Sequence, residues 1–169
     1  ADFGIMGDGE ISLVKFVKRS RENKIKKING LVFKKNKRIQ INSVHNLSNL
    51  DLLPFPARDL LPNKLYFSPL HGGRITTLIT SRGCPFDCIF CGLPNKGRYR
   101  ERSVNNVLSE IEELENEGFE YIEIEDDCFT LNKRRVEKIC RGIIEKKIKI
   151  EWGCETRICL LYTSPSPRD

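Results

Sequence analysis

Apolar positions change their period several times along the chain, and each change marks an element. From Arg74, Ile75-Thr76-Thr77-Leu78-Ile79-Thr80 is a β-branched run of the kind that fills a buried strand, and it ends directly in Ser81-Arg82-Gly83-Cys84. Ser103 then stands where a helix N-cap belongs, ahead of an apolar stripe at Val104, Val107, Leu108, Ile111 and Leu114 that Gly118 closes. Phe119 to Ile124 reads as a second strand. Asn132 can cap a second helix with Val136, Ile139, Cys140, Ile143 and Ile144 on its inner face, and Ile148 to Trp152 begins a third strand. Strand, helix, strand, helix, strand predicts a parallel sheet with right-handed crossovers.

The first part of the chain is patterned differently. Residues 2 to 7 are apolar and bounded by glycine, like a buried strand feeding a turn, and Glu10 to Val17 carries Ile11, Leu13, Val14, Phe16 and Val17 at helical spacing. Leu31-Val32-Phe33 and Ile39-Gln40-Ile41 flank the polar Lys34 to Arg38, the pattern of a small β-hairpin. Residues 43 to 73 lose all period, broken by Pro54, Pro56, Pro62 and Pro69, and read as an interdomain linker. The chain opens without Met, inside what reads as a strand and turn. Residues 159–169, Cys159 to Asp169, leave the Lys/Glu/Ile-rich composition before them, and codons that encode them in order resemble an in-frame sequencing adapter. Those residues are set aside as a non-native tail, and the remainder reads as an internal stretch of a longer protein.

Composition narrows the function. The net charge of +6 comes largely from Lys15 to Arg38, Arg98 to Arg102 and Lys133 to Lys149, where basic residues mix with Asn, Glu and Ile. Base-stacking aromatics are not interleaved with them, so the reading is a solvated surface and no nucleic acid is expected as a partner. No run of 18 apolar residues exists, so no membrane span is expected. Seven cysteines, odd in number and clustered, fit a reducing cytoplasm better than a secreted disulfide framework.

The chemistry lies in Cys84-Pro85-Phe86-Asp87-Cys88-Ile89-Phe90-Cys91. Three thiolates spaced by three and then two residues suit three corners of an iron–sulfur cubane, leaving the fourth iron open to an exogenous ligand, as an open position marks a catalytic metal site. Zinc is the competitor. Structural zinc wants four closed ligands, which Cys128, Cys140 or Cys154 could complete, and an auxiliary cluster on those later cysteines is a further alternative.

This spacing after a first strand, with aromatic Phe90 before the last cysteine, resembles the signature of the radical S-adenosylmethionine superfamily. The resemblance implies a 4Fe-4S cluster on Cys84, Cys88 and Cys91, S-adenosylmethionine chelated at the open iron, and a 5'-deoxyadenosyl radical from its reductive cleavage. It places Phe90 by the adenine. Asp126 and Asp127 stand where many members carry a Gly-Gly-Glu segment near the methionyl amine, and carboxylates at the C-terminal edge of a parallel sheet suit an ammonium. The competing reading is that they cap a turn. By the same edge argument Arg157 meets a substrate or cofactor carboxylate, against the alternative of a surface arginine.

Several stretches together resemble the cobalamin-binding branch: Gly7-Asp8-Gly9-Glu10 in a D-F-x-x-x-G-x-G-E context, Gly30-Leu31-Val32-Phe33, Asp51 to Pro62, Thr80 to Phe86, and Asp126 to Asn132. The resemblance implies an α/β fold: a partial (β/α) barrel with parallel strands over 74–158, a hairpin and Pro-rich linker over 23–73, and the C-terminal end of a doubly wound cobalamin-binding domain over 1–22. Gly7, Gly9 and Glu10 would lie by the cobalamin, while neither His45 nor His71 is assigned to the cobalt. The parent enzyme is expected to be a methyltransferase or a carbon–carbon bond-forming cyclase. Its substrate could be a small molecule, lipid, tetrapyrrole or peptide, its electrons would come from a flavodoxin or ferredoxin, and its setting would be an anaerobic cytoplasm. The alternatives are a cobalamin-independent, methylthiotransferase-like enzyme and a non-catalytic iron–sulfur or zinc module.

Overall fold

The computed structural model describes residues 2–20, 27–44, 46–92, 98–157 and 160; His45 and, apart from residue 160, the tail 159–169 lie outside them. The chain divides into two compact units, Ala1–Ser48 and Asn49–Asp169.

In the first unit β1 (Phe3–Ile5), β2 (Leu31–Lys35) and β3 (Arg38–Ile41) form one antiparallel sheet in that order, with helix α1 (Gly9–Ser20) inserted after β1. The β2–β3 connection is two residues long because Asn36 and Lys37 both accept positive φ, 49° and 62°, the backbone that matches the twist of a tight hairpin. Gly30 has φ 68°, and a Cβ there would fall 2.2 Å from the Met6 carbonyl oxygen, so β1 and β2 can meet only at glycine. The expected inner stripe of α1 is realised at Phe16 alone, whose ring lies 4.9 Å from that of Phe3, while Ile11, Leu13, Val14 and Val17 are exposed. Three short strands do not cover a helix face of that width.

The second unit begins with three 3-10 turns, Leu50–Leu52, Arg58–Leu60 and Asn63–Leu65, between the prolines that deny this stretch a longer helix. Then β4 (Ile75–Leu78), β7 (Tyr121–Ile124) and β8 (Glu151–Cys154) run parallel in the order β4-β7-β8, with Leu78 opposite Ile124 and Ile124 opposite Cys154. Helices α2 (Val104–Asn116) and α3 (Lys133–Glu145) make the crossovers. The sheet is parallel, as the strand pattern predicts, and open, in keeping with the partial barrel that the resemblance implies. Between β4 and α2 a short antiparallel pair, β5 (Ser81–Arg82) and β6 (Arg100–Glu101), brings the chain back beside the start of the cysteine loop.

The capping residues act as their chemistry dictates. Ser103 Oγ accepts from the Asn106 amide, Asn132 Oδ1 accepts from the Arg135 amide, and Gly118 leaves α2 at φ 79°. The core joins Leu78, Ile122 and Ile124 of the sheet to Val107, Leu108, Ile111 and Leu114 of α2 and Ile139 and Ile143 of α3. Each such fully buried side chain contributes about 1.5–3 kcal/mol. The α3 face is rotated from the expected stripe: Ile144 is 74% exposed, whereas Arg135 is only 5% exposed. Positions 135, 139 and 143 recur every four residues and look inward, and Ile144 lies one helical step, about 100°, beyond them. The third strand starts later than its apolar run suggests, because Lys147 turns the chain at φ 56° first and the Ile148 amide closes onto the Ile143 carbonyl. Among the described residues no helix is long and apolar enough to cross a membrane.

Candidate metal centre at the edge of the parallel sheet

The cysteine loop leaves β4 at the C-terminal edge of the sheet, where β7 also ends, and the two exits are tied together. The ladder runs one step past the strands through the Glu125 amide to the Leu78 carbonyl, 2.9 Å. Beyond it the Asp126 carboxylate takes over. Its Oδ1 accepts from the amides of Thr80 and Ser81, at 2.6 and 2.9 Å, and its Oδ2 accepts from their hydroxyls, at 2.5 and 2.7 Å. A carboxylate offers about four lone-pair sites, and all are committed to the loop. Asp126 is 2% exposed. Its side chain therefore does not present itself to an ammonium, and the expectation of Asp126 as a cofactor ligand through that carboxylate gives way to the competing one, a carboxylate that caps a turn. Asp127 is different: its side chain is exposed, and Oδ2 accepts from the Gly83 amide at 2.8 Å.

These bonds fix residues 80, 81 and 83, immediately before the first cysteine. Cys84 is buried, Cys88 and Cys91 are half-buried, and all three are free thiols. The Cys91 amide turns back onto the Cys88 carbonyl at 3.0 Å. Between them Ile89 and Phe90 stand fully in solvent. Arg157, three residues past β8, lies over the Phe86 ring with its guanidinium carbon 4.0 Å from the centroid, and Nη1 donates toward Cys88 Sγ at 3.9 Å. The structure thus brings Arg157, Asp127 and the three cysteines to one edge. Gly7, Gly9 and Glu10 belong to the other unit, where a Cβ on Gly7 would fall 2.7 Å from Val44 Cγ1 and Asn46 Oδ1. The need for glycine at position 7 is met within its own unit.

As a donor set the three thiols fit a cubane, which takes each thiolate on a separate iron and one loop to supply all three. Among the described residues no three His, Cys, Asp or Glu side chains converge as ligands of a single ion would. Cys128 instead lies against Thr156, with sulfur to hydroxyl at 4.0 Å, and Thr156 also bonds the Thr130 hydroxyl. Burial, with nearby Glu123 and Asp126 adding to it, pushes the Cys154 thiol up, and burial does the same to Cys140.

Two arginines to which the sequence gives no site role turn inward here, Arg58 buried and Arg102 with its side chain 11% exposed. Arg58 and Arg102 reach the same carboxylate, Glu110, with Nη1–Oε1 at 2.7 Å and Nη2–Oε2 at 2.6 Å. Arg58 also donates to Thr76 Oγ1 and the Thr77 carbonyl, and Arg102 to the Ile79 carbonyl. Together they fasten the segment before β4 and the start of α2 to the strand that carries the loop. Arg135 is the other missed residue, donating to Thr80 and to the Arg102 carbonyl. Its one signal in the sequence is its place four residues before Ile139 on the inner face. Tyr99, beside this network, donates to Glu101 at 3.0 Å; burial first, then that bond and the Glu101 charge, push its hydroxyl up to about 12.

The sequence pattern of the Radical SAM superfamily matches residues 78–166, from the end of β4 through the cysteine loop and past β8. The chain belongs to that radical S-adenosylmethionine superfamily. Among its relatives, an uncharacterized methyltransferase of Pyrococcus horikoshii is 36% identical over 162 residues, 93% of this chain and 35% of that protein. An anaerobic magnesium-protoporphyrin IX monomethyl ester cyclase of Synechocystis sp. is 28% identical over 156 residues, 88% of this chain and 30% of the cyclase. The chain thus spans about a third of the length of these two relatives. Among solved structures, the cobalamin-dependent S-adenosylmethionine radical enzyme OxsB shares the fold over 96% of this chain and 23% of its own, with a TM-score of 0.75 at 24% identity.

Proposed function

We propose that this chain carries the cluster site and the opening strands of a cobalamin-dependent radical S-adenosylmethionine enzyme that methylates its substrate or forms a carbon–carbon bond or ring. The observation that carries the reading is the Cys84, Cys88, Cys91 loop leaving the C-terminal edge of a parallel sheet, pinned there by Asp126 and Asp127. The three thiolates hold the 4Fe-4S cluster, which with bound S-adenosylmethionine supplies a 5'-deoxyadenosyl radical. Asp127, exposed at the same edge, receives the methionyl ammonium, and exposed Phe90 covers the adenine. Arg157, which reaches the loop from β8, faces a carboxylate.

The cobalamin part of the reading is supported by what the relatives are, a methyltransferase and a cyclase, and by the fold shared with cobalamin-dependent OxsB. In this reading residues 1–22 close the cobalamin domain, with Gly7, Gly9 and Glu10 toward that cofactor. The substrate is an organic molecule, lipid, tetrapyrrole or peptide, a flavodoxin or ferredoxin delivers the electron, and the setting is an anaerobic cytoplasm. The test is anaerobic reconstitution of the chain, within its full-length gene product, with iron and sulfide, followed by S-adenosylmethionine and reductant. Formation of 5'-deoxyadenosine that vanishes in Cys88→Ala is the expected result. An intact, reducible cluster that yields none would turn the reading to a non-catalytic iron–sulfur module.

A further inference from the structure

We propose that Arg135 is a positioning residue for the first cluster cysteine, acting through Thr80. Arg135 is 5% exposed and sits in the first turn of α3. Its Nη2 donates to the Thr80 carbonyl at 2.9 Å and Nη1 to the Thr80 hydroxyl at 3.2 Å, while Nε donates to the Arg102 carbonyl at 2.9 Å. These contacts converge on the chain entering the cysteine loop and on the residue just after the strand returning beside it, rather than on the apolar core that Ile139 and Ile143 hold. Glu101 Oε2 stands 3.9 Å from Nε as the nearby countercharge.

The direction of the bonds follows from their chemistry. A guanidinium only donates, so the Thr80 hydroxyl accepts from Arg135 and its single proton must go elsewhere. It goes to Asp126 Oδ2, 2.5 Å away. Arg135, Thr80 and Asp126 therefore form a one-way relay in which Thr80, fully buried, is held at its carbonyl, its hydroxyl and its amide. Ser81 is bonded to the same carboxylate and Gly83 to Asp127, so the chain reaches Cys84 with little freedom left. The consequence is an asymmetric loop: Cys84 is preplaced at 8% exposure, while Cys88 and Cys91 flank fully exposed residues. Preorganisation of one ligand lowers the ordering cost of assembling the site.

The inference rests on Cys84 being a cluster ligand, but its test needs no iron. The iron-free chain is alkylated with iodoacetamide under native conditions, and each cysteine is read separately by peptide mass spectrometry. In the wild type Cys84 reacts only through local opening. Arg135→Lys keeps the charge and loses the fork; Thr80→Val keeps the shape and the carbonyl but removes the hydroxyl relay. Both should raise the Cys84 rate by about tenfold or more, the scale of one lost charge-assisted bond, with Cys128, 1% exposed, unchanged as the reporter of the surrounding fold. No change at Cys84, or an equal rise at Cys128, would overturn the proposal and make Arg135 an ordinary structural residue. Either result leaves the reading of the chain as a radical enzyme where 5'-deoxyadenosine formation puts it.

Discussion

Replacing Asp126 by Asn changes one oxygen to nitrogen, almost without change in shape, inside a site where every bond points inward. Asp126 receives two amides and two hydroxyls. An asparagine can keep its oxygen toward one pair, and its NH2 then faces the other pair, which are themselves donors. Facing the hydroxyls is the cheaper arrangement, since Ser81 can rotate to accept. Thr80 cannot yield its proton to another partner so easily, because Arg135 already occupies one lone pair. One buried donor is left unmet, at about 1–3 kcal/mol, and the bonds that survive lose their charge assistance, about 1 kcal/mol each. The sum is about 3–5 kcal/mol. Trp152 is the single tryptophan and stands edge-on to Phe129 at 5.7 Å between ring centroids, so its fluorescence reports the unit that contains this site. Urea unfolding followed at Trp152 should show a midpoint well below wild type at an unchanged slope. Asp127→Asn, with one bond at an exposed side chain, should shift it by about 1 kcal/mol or less. A loss under about 1 kcal/mol for Asp126→Asn would refute the claim that its carboxylate is fully committed to the loop.

Three further outcomes follow from the same edge of the molecule. Glu110→Gln leaves Arg58 and Arg102 buried without their shared charge and should cost about 3–5 kcal/mol in the same urea assay. Tyr99 has a folded pKa raised from 10.0 to about 12, so the stability its protonated form contributes is full below pH 10 and is lost as pH rises from 10 to 12; Tyr99→Phe should flatten the fall in stability across that window. In the cluster-loaded protein, Arg157→Gln removes a positive charge and a donor from Cys88 Sγ, and the midpoint potential measured by redox titration should become more negative.

The parallel sheet and its helices were legible because their signals are local. The β-branched run at 75–80, the caps at Ser103 and Asn132, and Gly118 all do in the structure what their side chains favour in isolation. The cysteine loop was legible for the same reason, its three thiols lying within eight residues. What holds the loop was not. Asp126 meets Thr80 and Ser81 across 46 and 45 residues, and nothing in its local context separates a carboxylate awaiting a ligand from one saturated by the chain. The inward arginines were hidden differently: Arg102 and Arg135 sit in basic stretches where composition argues for solvent, Arg58 in a Pro-rich stretch without period, and only their distant partners, Glu110 and Thr80, justify taking them out of water. The apolar face of α1 shows the converse, a helical stripe whose period was clear and whose covering is not supplied by its own three-stranded sheet.

The exposure pattern along the loop argues for a division of labour. Thr80 to Cys84 is buried apart from the half-exposed Arg82, and two carboxylates tie it to β7, whereas Ile89 is 102% and Phe90 89% exposed only five and six residues later. Two adjacent large apolar side chains in water forgo roughly 1.5–3 kcal/mol each relative to burial, and the same segment carries the second and third thiols. If, as proposed, Phe90 covers the adenine, part of that energy is recovered when the cofactor binds. The chain therefore commits its rigidity to the first cysteine and leaves the other two, with Phe90 between them, on the part of the loop whose burial a bound ligand would complete.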